Sequence, residues 1–422
     1  MASIGKDYSK LKEVSDCFTE ETLKNILNTV HNGKEINVLS WNFGEANAKG
    51  DNYLSTVNKI KVTGTIDGRQ VEVNIVVKSL PKNVGRRKTY RSSEFFQNEI
   101  AFYTKVIPKF EKFLKEKNQI KVLCIPRHLA SVMDGENDYI ALEDVTVLGY
   151  EPIARQSCLD YDQCMMILKA IARFHAISFA YKDQQKEEFI EIAESLHETY
   201  FSAEHWNWYK RFNERLVDIA KNALTVEYPF SKAEKKFNAY KASDLFRKAS
   251  ELCDRKYKPT SVIVQGDSWI PNFMARKTEE NEALILDFQL ARCASPVLDL
   301  STFIYSCIDK TIWNDKFDTL LKFYHTELCS TINLLGSNPE NLYPWNTFMN
   351  EINEQFIYGL IFSLEVIPMS LLDGNDVFDL DLIKDDNAVD IADVWTLANI
   401  KSESGRIKLA SIIIHAVQKG FL

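Results

Sequence analysis

The sequence predicts an α+β chain in two lobes, with a small antiparallel β-sheet first and a larger, mainly helical lobe behind it. Three observations carry this. Between Ile36 and Lys78 apolar residues recur at alternate positions, as in half-buried strands, and Asp67–Gly68 in their midst is a type I′ hairpin signal. Beyond Val145 the period changes to that of helices, most clearly over Asp160–Ala180. Ser261–Leu300 then breaks the helices with three short apolar strands. At 422 residues the chain is long for one compact module, and a division into 1–141 and 142–422 follows the change of pattern.

Residues 1–30 show helical spacing at Leu11, Val14, Phe18, Leu23, Ile26 and Leu27, an extension expected to pack on the segment that follows. Next comes a polar, glycine-bearing stretch, Gly44–Ser55, leading into the hairpin. On its returning strand Val71, Val73, Ile75 and Val77 share one face, so Lys78 falls on the other with Asn74 and Val76. Kinases cover the ATP phosphates with such a loop, strand and hairpin, and the lysine at its end contacts the α/β-phosphates. Gly50, Asn52 and Ser55 are the loop residues expected at the nucleotide, with Lys78. That lysine needs an anchoring carboxylate. Ser92–Ser93 offers an N-cap for a helix carrying Phe96, Glu99, Ile100, Tyr103, Val106 and Ile107, which Pro108 is expected to stop. Glu99 is the natural partner. Taken alone, Lys78 would be a solvated strand end and Glu99 an exposed helix residue. Tyr139–Val145 is an apolar strand ending in acid where a kinase joins its lobes, and Glu143 and Val145 are the expected adenine contacts.

What reverses the bland reading is the central stretch. Ser261–Val264 runs into Gln265–Gly266–Asp267, Asn272 opens a second strand, and Ala283–Phe288 carries Asp287. Phosphoryl transfer uses one carboxylate to orient and deprotonate a hydroxyl, plus an amide oxygen and a second carboxylate to hold Mg²⁺ on the phosphates. Protein kinases space them as Asp, four residues, Asn, then the Asp of a DFG turn. Here the turn reads Asp287–Phe288–Gln289. A Gly-Asp pair after a strand is ordinarily just a turn, so order and placement together make the case. Only Phe288–Leu298 separate Asp287 from Asp299, which can cap the next helix; that is too short for a peptide-docking segment, so the acceptor should be a small molecule.

Among the helices, His175 reads as a hydrogen-bonded core histidine, since no second ligand stands at metal spacing. The aromatic stripe Trp206, Trp208, Tyr209 and Phe212 is core spacing, or else the wall of an apolar pocket. On the second reading Trp206, Tyr209 and Trp269 are the substrate-pocket candidates. The acidic run Asp373–Asp390 reads as a solvated loop.

A net charge of −8 argues against nucleic acid or an anionic membrane as the main partner. Eight scattered cysteines without CxxC or metal spacing, no apolar leader, no bilayer-length apolar run and no lipidation signal lead us to expect a cytoplasmic, thiol-reduced protein. No protein partner is evident in the sequence.

Taken together, GDNYLS, FFQNEIAFYTKVIP, LEDV, RFHAIS, QGDSWIPNFM, LILDFQLAR with VLDL, and IIIHAVQKGF resemble the insect ecdysteroid kinase-like family over about residues 35 to 422. That family is grouped with choline kinases and aminoglycoside phosphotransferases. The resemblance implies a bilobal protein-kinase-like fold and ATP- and Mg²⁺-dependent phosphorylation of a small-molecule hydroxyl, an ecdysteroid's in some members. Carried over by motif, Asp267 is the catalytic base, Asn272 and Asp287 the Mg²⁺ ligands, and Lys78 with Glu99 the phosphate-positioning pair. One position departs: the family motif begins His-Gly-Asp, and this chain has Gln265. Glutamine offers both a donor and an acceptor for bracing the loop. The alternative that Gln265 raises is a weak or inactive relative that binds or sequesters a small ligand.

Overall fold

The computed structural model describes residues 6–33, 35–44, 54–156, 159–277, 282–372, 383 and 386–422. A five-stranded antiparallel sheet, in the order β1-β2-β3-β5-β4, is built from β1 (Ile36–Phe43), β2 (Thr56–Ile66), β3 (Arg69–Ser79), β4 (His128–Val132) and β5 (Tyr139–Glu143). The β2–β3 hairpin closes at Ile66↔Arg69, and Asp67 and Gly68 both take positive φ (49° and 77°), as a type I′ turn requires. The residues read as one N-terminal helical pattern form two helices, α1 (Tyr8–Val14) and α2 (Glu20–His31), with Thr19 capping the second. Their apolar faces pack on Val73, Ile75 and Val77, which buries that side of β3 and turns Lys78 to the other.

After β3 come α3 (Val84–Tyr90) and α4 (Ser92–Ala101). Ser92 does not cap α4. The cap position belongs to Arg91, in left-handed conformation, and Ser92 is buried in the first turn. Nor does Pro108 end the helix. A five-residue π-turn, Phe102–Val106, precedes α5 (Ile107–Glu116) and places Pro108 in its first turn, where a missing N–H costs nothing.

The helical part is organised on α6 (Tyr161–Gln184), which has the length and apolar composition to cross a membrane. The run expected to be absent is therefore present, but 83% of its apolar window is buried inside the fold, as in a core helix. Two small antiparallel sheets lie against this helical part. One joins β6 (Glu151–Pro152), β8 (Phe273–Arg276) and β9 (Glu282–Ile285), and the other pairs β7 (Val262–Val264) with β10 (Arg292–Ala294). Helix Val297–Cys307 begins before Asp299, so that residue sits in its first turn and does not cap it. Helix Ile357–Ser370 crosses it so closely that a Cβ on Gly359 would stand 2.3 Å from the Ser301 carbonyl. Of the acidic run 373–390, only Ile383 and residues from 386 onward are among those described.

Candidate active site

Lys78 ends its strand facing the gap between sheet and helices. Its Nζ lies 2.9 and 3.1 Å from the two Glu99 oxygens and 3.1 Å from Asp287 Oδ2. Burial works against the lysine's charge, yet Asp287 and Glu99 outweigh it and hold its pKa above the ordinary range. Beside Glu99, Asn98 ties α4 to the segment after Asp287, its Nδ2 donating to Gln289 O (3.0 Å) and Ala291 O (2.8 Å). Phe288 is fully buried and stacks on Phe102 at 3.8 Å between centroids. Asp287 itself is forced to a φ of 59°, so the turn is fixed from both sides.

Asp267 lies on the loop after β7. Asn272 Nδ2 donates to its backbone oxygen and to its Oδ2, both at 2.9 Å. Burial, then the charge of Asp287, push the Asp267 pKa up to about 7, against the pull of the Asn272 hydrogen bond. Gly266 precedes it with a φ of 87°, and a Cβ there would stand 2.0 Å from Leu290 O, so only glycine fits.

Gln265 joins the two loops. Its Nε2 donates to Leu286 O (3.0 Å) and Asp287 O (2.9 Å), while its Oε1 accepts from Asp267 N (3.0 Å) and Ser268 Oγ (2.9 Å). Asp299 holds the same loop from behind. Its Oδ2 accepts from Gln265 N (2.7 Å), its Oδ1 from Gly266 N (2.9 Å), and His175 Nε2 lies 3.1 Å from Oδ2. His175 is thus a hydrogen-bonded core residue, bound through Nδ1 to the Tyr324 hydroxyl at 2.8 Å.

The oxygens left over suit a hard divalent cation. Asp287 Oδ1 is buried and without a hydrogen-bond partner among the described residues. The Asn272 amide nitrogen is engaged by Asp267, and among the described residues nothing donates to its oxygen. Two protein oxygens completed by phosphate and water are the usual Mg²⁺ set. Among the described residues no group of three or more His, Cys, Asp or Glu forms a cage of its own.

From Asp267 and Asp287 opens a cleft of about 920 Å³, mouth included. Ser55 and Trp269, two of the expected residues, line it, and Gly50 and Asn52 lie outside the described residues. Glu143 and Val145 sit apart from it, at the link between sheet and helices. There the Glu143 N–H goes to Arg127 O (2.9 Å) and Val145 packs with Tyr150 and Met274. Two pocket expectations are corrected. Trp206 packs on Phe246, 5.1 Å between centroids, and Tyr209 is buried behind the wall. The face of that helix which reaches the cleft is Trp208's. Four further features were not anticipated: Asp299 as a brace, Asn98 as a tie, and Tyr200 and Glu365 in the wall. Glu365 had left a signal, being the one charge in the apolar helix IYGLIFSLEVIPMS.

Residues 49–337 match the ecdysteroid kinase-like family. No curated protein matches the chain. Among solved structures it is similar to an ethanolamine kinase of Plasmodium vivax, at 14% identity over 99% of this chain and 98% of that one, with a TM-score of 0.40. A putative aminoglycoside phosphotransferase of Ralstonia eutropha matches at 13% identity, 94% and 98% coverage and a TM-score of 0.39. A macrolide 2′-phosphotransferase of Brachybacterium faecium follows at 13%, covering 80% and 90%, with a TM-score of 0.32.

Proposed function

The chain belongs to the ecdysteroid kinase-like family, and from that premise we propose that it moves the γ-phosphoryl group of ATP to a hydroxyl of a small, largely apolar acceptor, such as an ecdysteroid or a xenobiotic alcohol. Residues 1–141 would cover the nucleotide and 142–422 hold the acceptor. One observation carries the reading: Asp267, amide-held and opening on an aromatic-lined cleft, stands beside Asp287 and the Lys78–Glu99 pair.

In this reading Asp267 orients the acceptor hydroxyl and takes its proton as the oxygen attacks phosphorus. Asn272 keeps Asp267 aimed, Lys78 meets the α/β-phosphates, and Glu99 keeps Lys78 in place. Ser55 would reach the phosphates from above, and the Glu143 carbonyl and Val145 N–H would meet the adenine. Mg²⁺ would be held by Asp287 Oδ1 and the Asn272 oxygen, and when bound it supplies charge neutralisation on the phosphates. Asp287→Ala removes one of those two oxygens and a partner of Lys78. Loss of outer partners alone costs about 10–100-fold in metal affinity, so the Mg²⁺-dependent part of ATP binding is expected to weaken at least tenfold, about, in a calorimetric titration. An unchanged Mg²⁺ dependence would remove Asp287 from this role.

The second reading, a binder without turnover, rests on Gln265 in place of histidine. Its four hydrogen bonds span both loops, which supports a working site. Gln265→Ala removes those four hydrogen bonds, the two to Leu286 O and Asp287 O only partly buried, and is expected to cut kcat about 10–100-fold with ATP binding little changed. Gln265→His is expected to add an acid limb below about pH 6.5, because a protonated imidazole cannot accept from the Asp267 N–H. The wild type already has a one-proton acid limb from Asp267, pushed up to about 7, so the histidine variant should show a limb steepened toward two protons below about pH 6.5. Equal kcat for Gln265→Ala and wild type would show that Gln265 braces nothing.

A further inference from the structure

The cleft carries a polar group that the phosphoryl-transfer chemistry does not use. Helix Ile357–Ser370 presents Phe362, Glu365, Val366 and Met369 to it, the spacing of one helix face. Three of these are apolar. Tyr200 Oη donates to Glu365 Oε2 at 2.6 Å, and Tyr209 Oη donates to the same atom. Both phenols are spent on one oxygen, and among the described residues none donates to the other, Oε1. No cation offsets the carboxylate among them either. A carboxylate held this firmly, with one oxygen left over on an otherwise apolar helix face, is a built acceptor of hydrogen bonds.

The rest of the wall says what body suits it. Arg91 already lies over the rings of Trp208 and Phe95, 5.0 and 5.7 Å from their centroids. Arg91 is not among the residues lining the cleft and its charge is paired with Glu94, so the cleft meets both rings as apolar surface. Trp208 Nε1 is turned away to Thr89 O (2.8 Å), so that ring offers the cleft only apolar surface. An apolar, ring-shaped ligand fits these walls, and a hydroxyl on it is a donor that Glu365 Oε1 can receive.

We propose that Glu365 Oε1 receives a second hydroxyl of the acceptor, so that the preferred substrates are apolar ring compounds bearing at least two hydroxyls, one at Asp267 and another at Glu365. This rests on the reading that the cleft phosphorylates an alcohol. Glu365 is then a specificity-determining residue: a ligand lacking the second hydroxyl displaces water from a carboxylate oxygen that faces the cleft and returns no donor to it, the situation a hydrogen-bonding site rejects.

The test compares three probes on wild type, Glu365→Gln and Glu365→Leu: 20-hydroxyecdysone as polyol, pregnenolone as monohydroxy steroid, and a 3-amino steroid. Binding is measured with Mg·ADP present, and kcat and KM with Mg·ATP. The wild type is expected to favour the polyol over the monohydroxy steroid by about 10–100-fold, the range of a charge-assisted hydrogen bond. Most of that difference should lie in Kd and KM. Glu365→Gln keeps an oxygen for the two phenols, so it folds as wild type does, and the preference should shrink by about 3–10-fold. In Glu365→Leu it should fall to within about threefold of unity. Retention of the full preference in folded Glu365→Gln and Glu365→Leu, tighter wild-type binding of the amino steroid, or no binding of any probe would each overturn the assignment. The arms separate the two claims. Discriminating binding without phosphate transfer would sink the kinase reading and leave Glu365 in place, whereas transfer without discrimination would do the reverse.

Discussion

Asp267→Asn is expected to lower turnover by about 10²–10⁴-fold, the usual worth of a positioned general base, with Mg·ATP binding retained. The same change should make the ligand-free protein more stable. In the fold the carboxyl titrates near 7 because it is buried beside Asp287, while in the unfolded chain it titrates near 3.9. Below about pH 4 it is protonated in both states and costs nothing. As pH rises toward 7 the unfolded chain gains its charge freely and the folded one does not, so stability falls, and above about 7 the full cost is present. Asparagine removes it. The gain should grow from pH 4 to pH 7 and then level off at about 1–4 kcal/mol, read as the difference in urea midpoints between variant and wild type. A stability gain with lost turnover is the mark of a residue kept for chemistry. Turnover equal to wild type would refute the assignment.

Asp299→Ala should do the most damage to the fold. Its two oxygens satisfy the N–H groups of Gln265 and Gly266 and face His175 Nε2, all buried. Alanine strands three polar groups at once, at an expected cost of about 3–5 kcal/mol, comparable to breaking a buried ion pair. Thermal unfolding should report it, and the folded remainder should turn over slowly, because the loop carrying Asp267 has lost its hold. Asp299→Asn keeps one accepting oxygen and should fall between. An alanine variant as stable as wild type would show that the loop is braced elsewhere.

Much of the candidate site's geometry is legible because strand parity and motif order are local properties. Parity alone turned Lys78 away from the face holding Val73, Ile75 and Val77, and the helix after it brought Glu99 within 2.9 Å. What the sequence could not show was set by packing between distant segments. Ser92 is a good capping residue by type, yet burial of the first turn against its neighbours moved the cap to Arg91. Pro108 should have ended a regular helix, and a π-turn absorbed it. The aromatic stripe marks a helix without its rotation: spacing alone makes Trp206 and Tyr209 candidates, and it is Trp208 that meets the cleft. Asp299 could only be read as a cap, since its partners lie more than thirty residues upstream.

The central claim is that Asp267, Asn272, Asp287 and Lys78 together transfer phosphate to a small alcohol. Its most direct test incubates the wild type and Asp267→Asn with γ-labelled ATP, Mg²⁺ and a library of steroid and xenobiotic alcohols, and follows phosphate adducts by mass spectrometry. A labelled phosphate monoester formed by the wild type and not by the variant is the expected result. Mg·ATP binding with no adduct across the library, or the same adduct from both proteins, would contradict it.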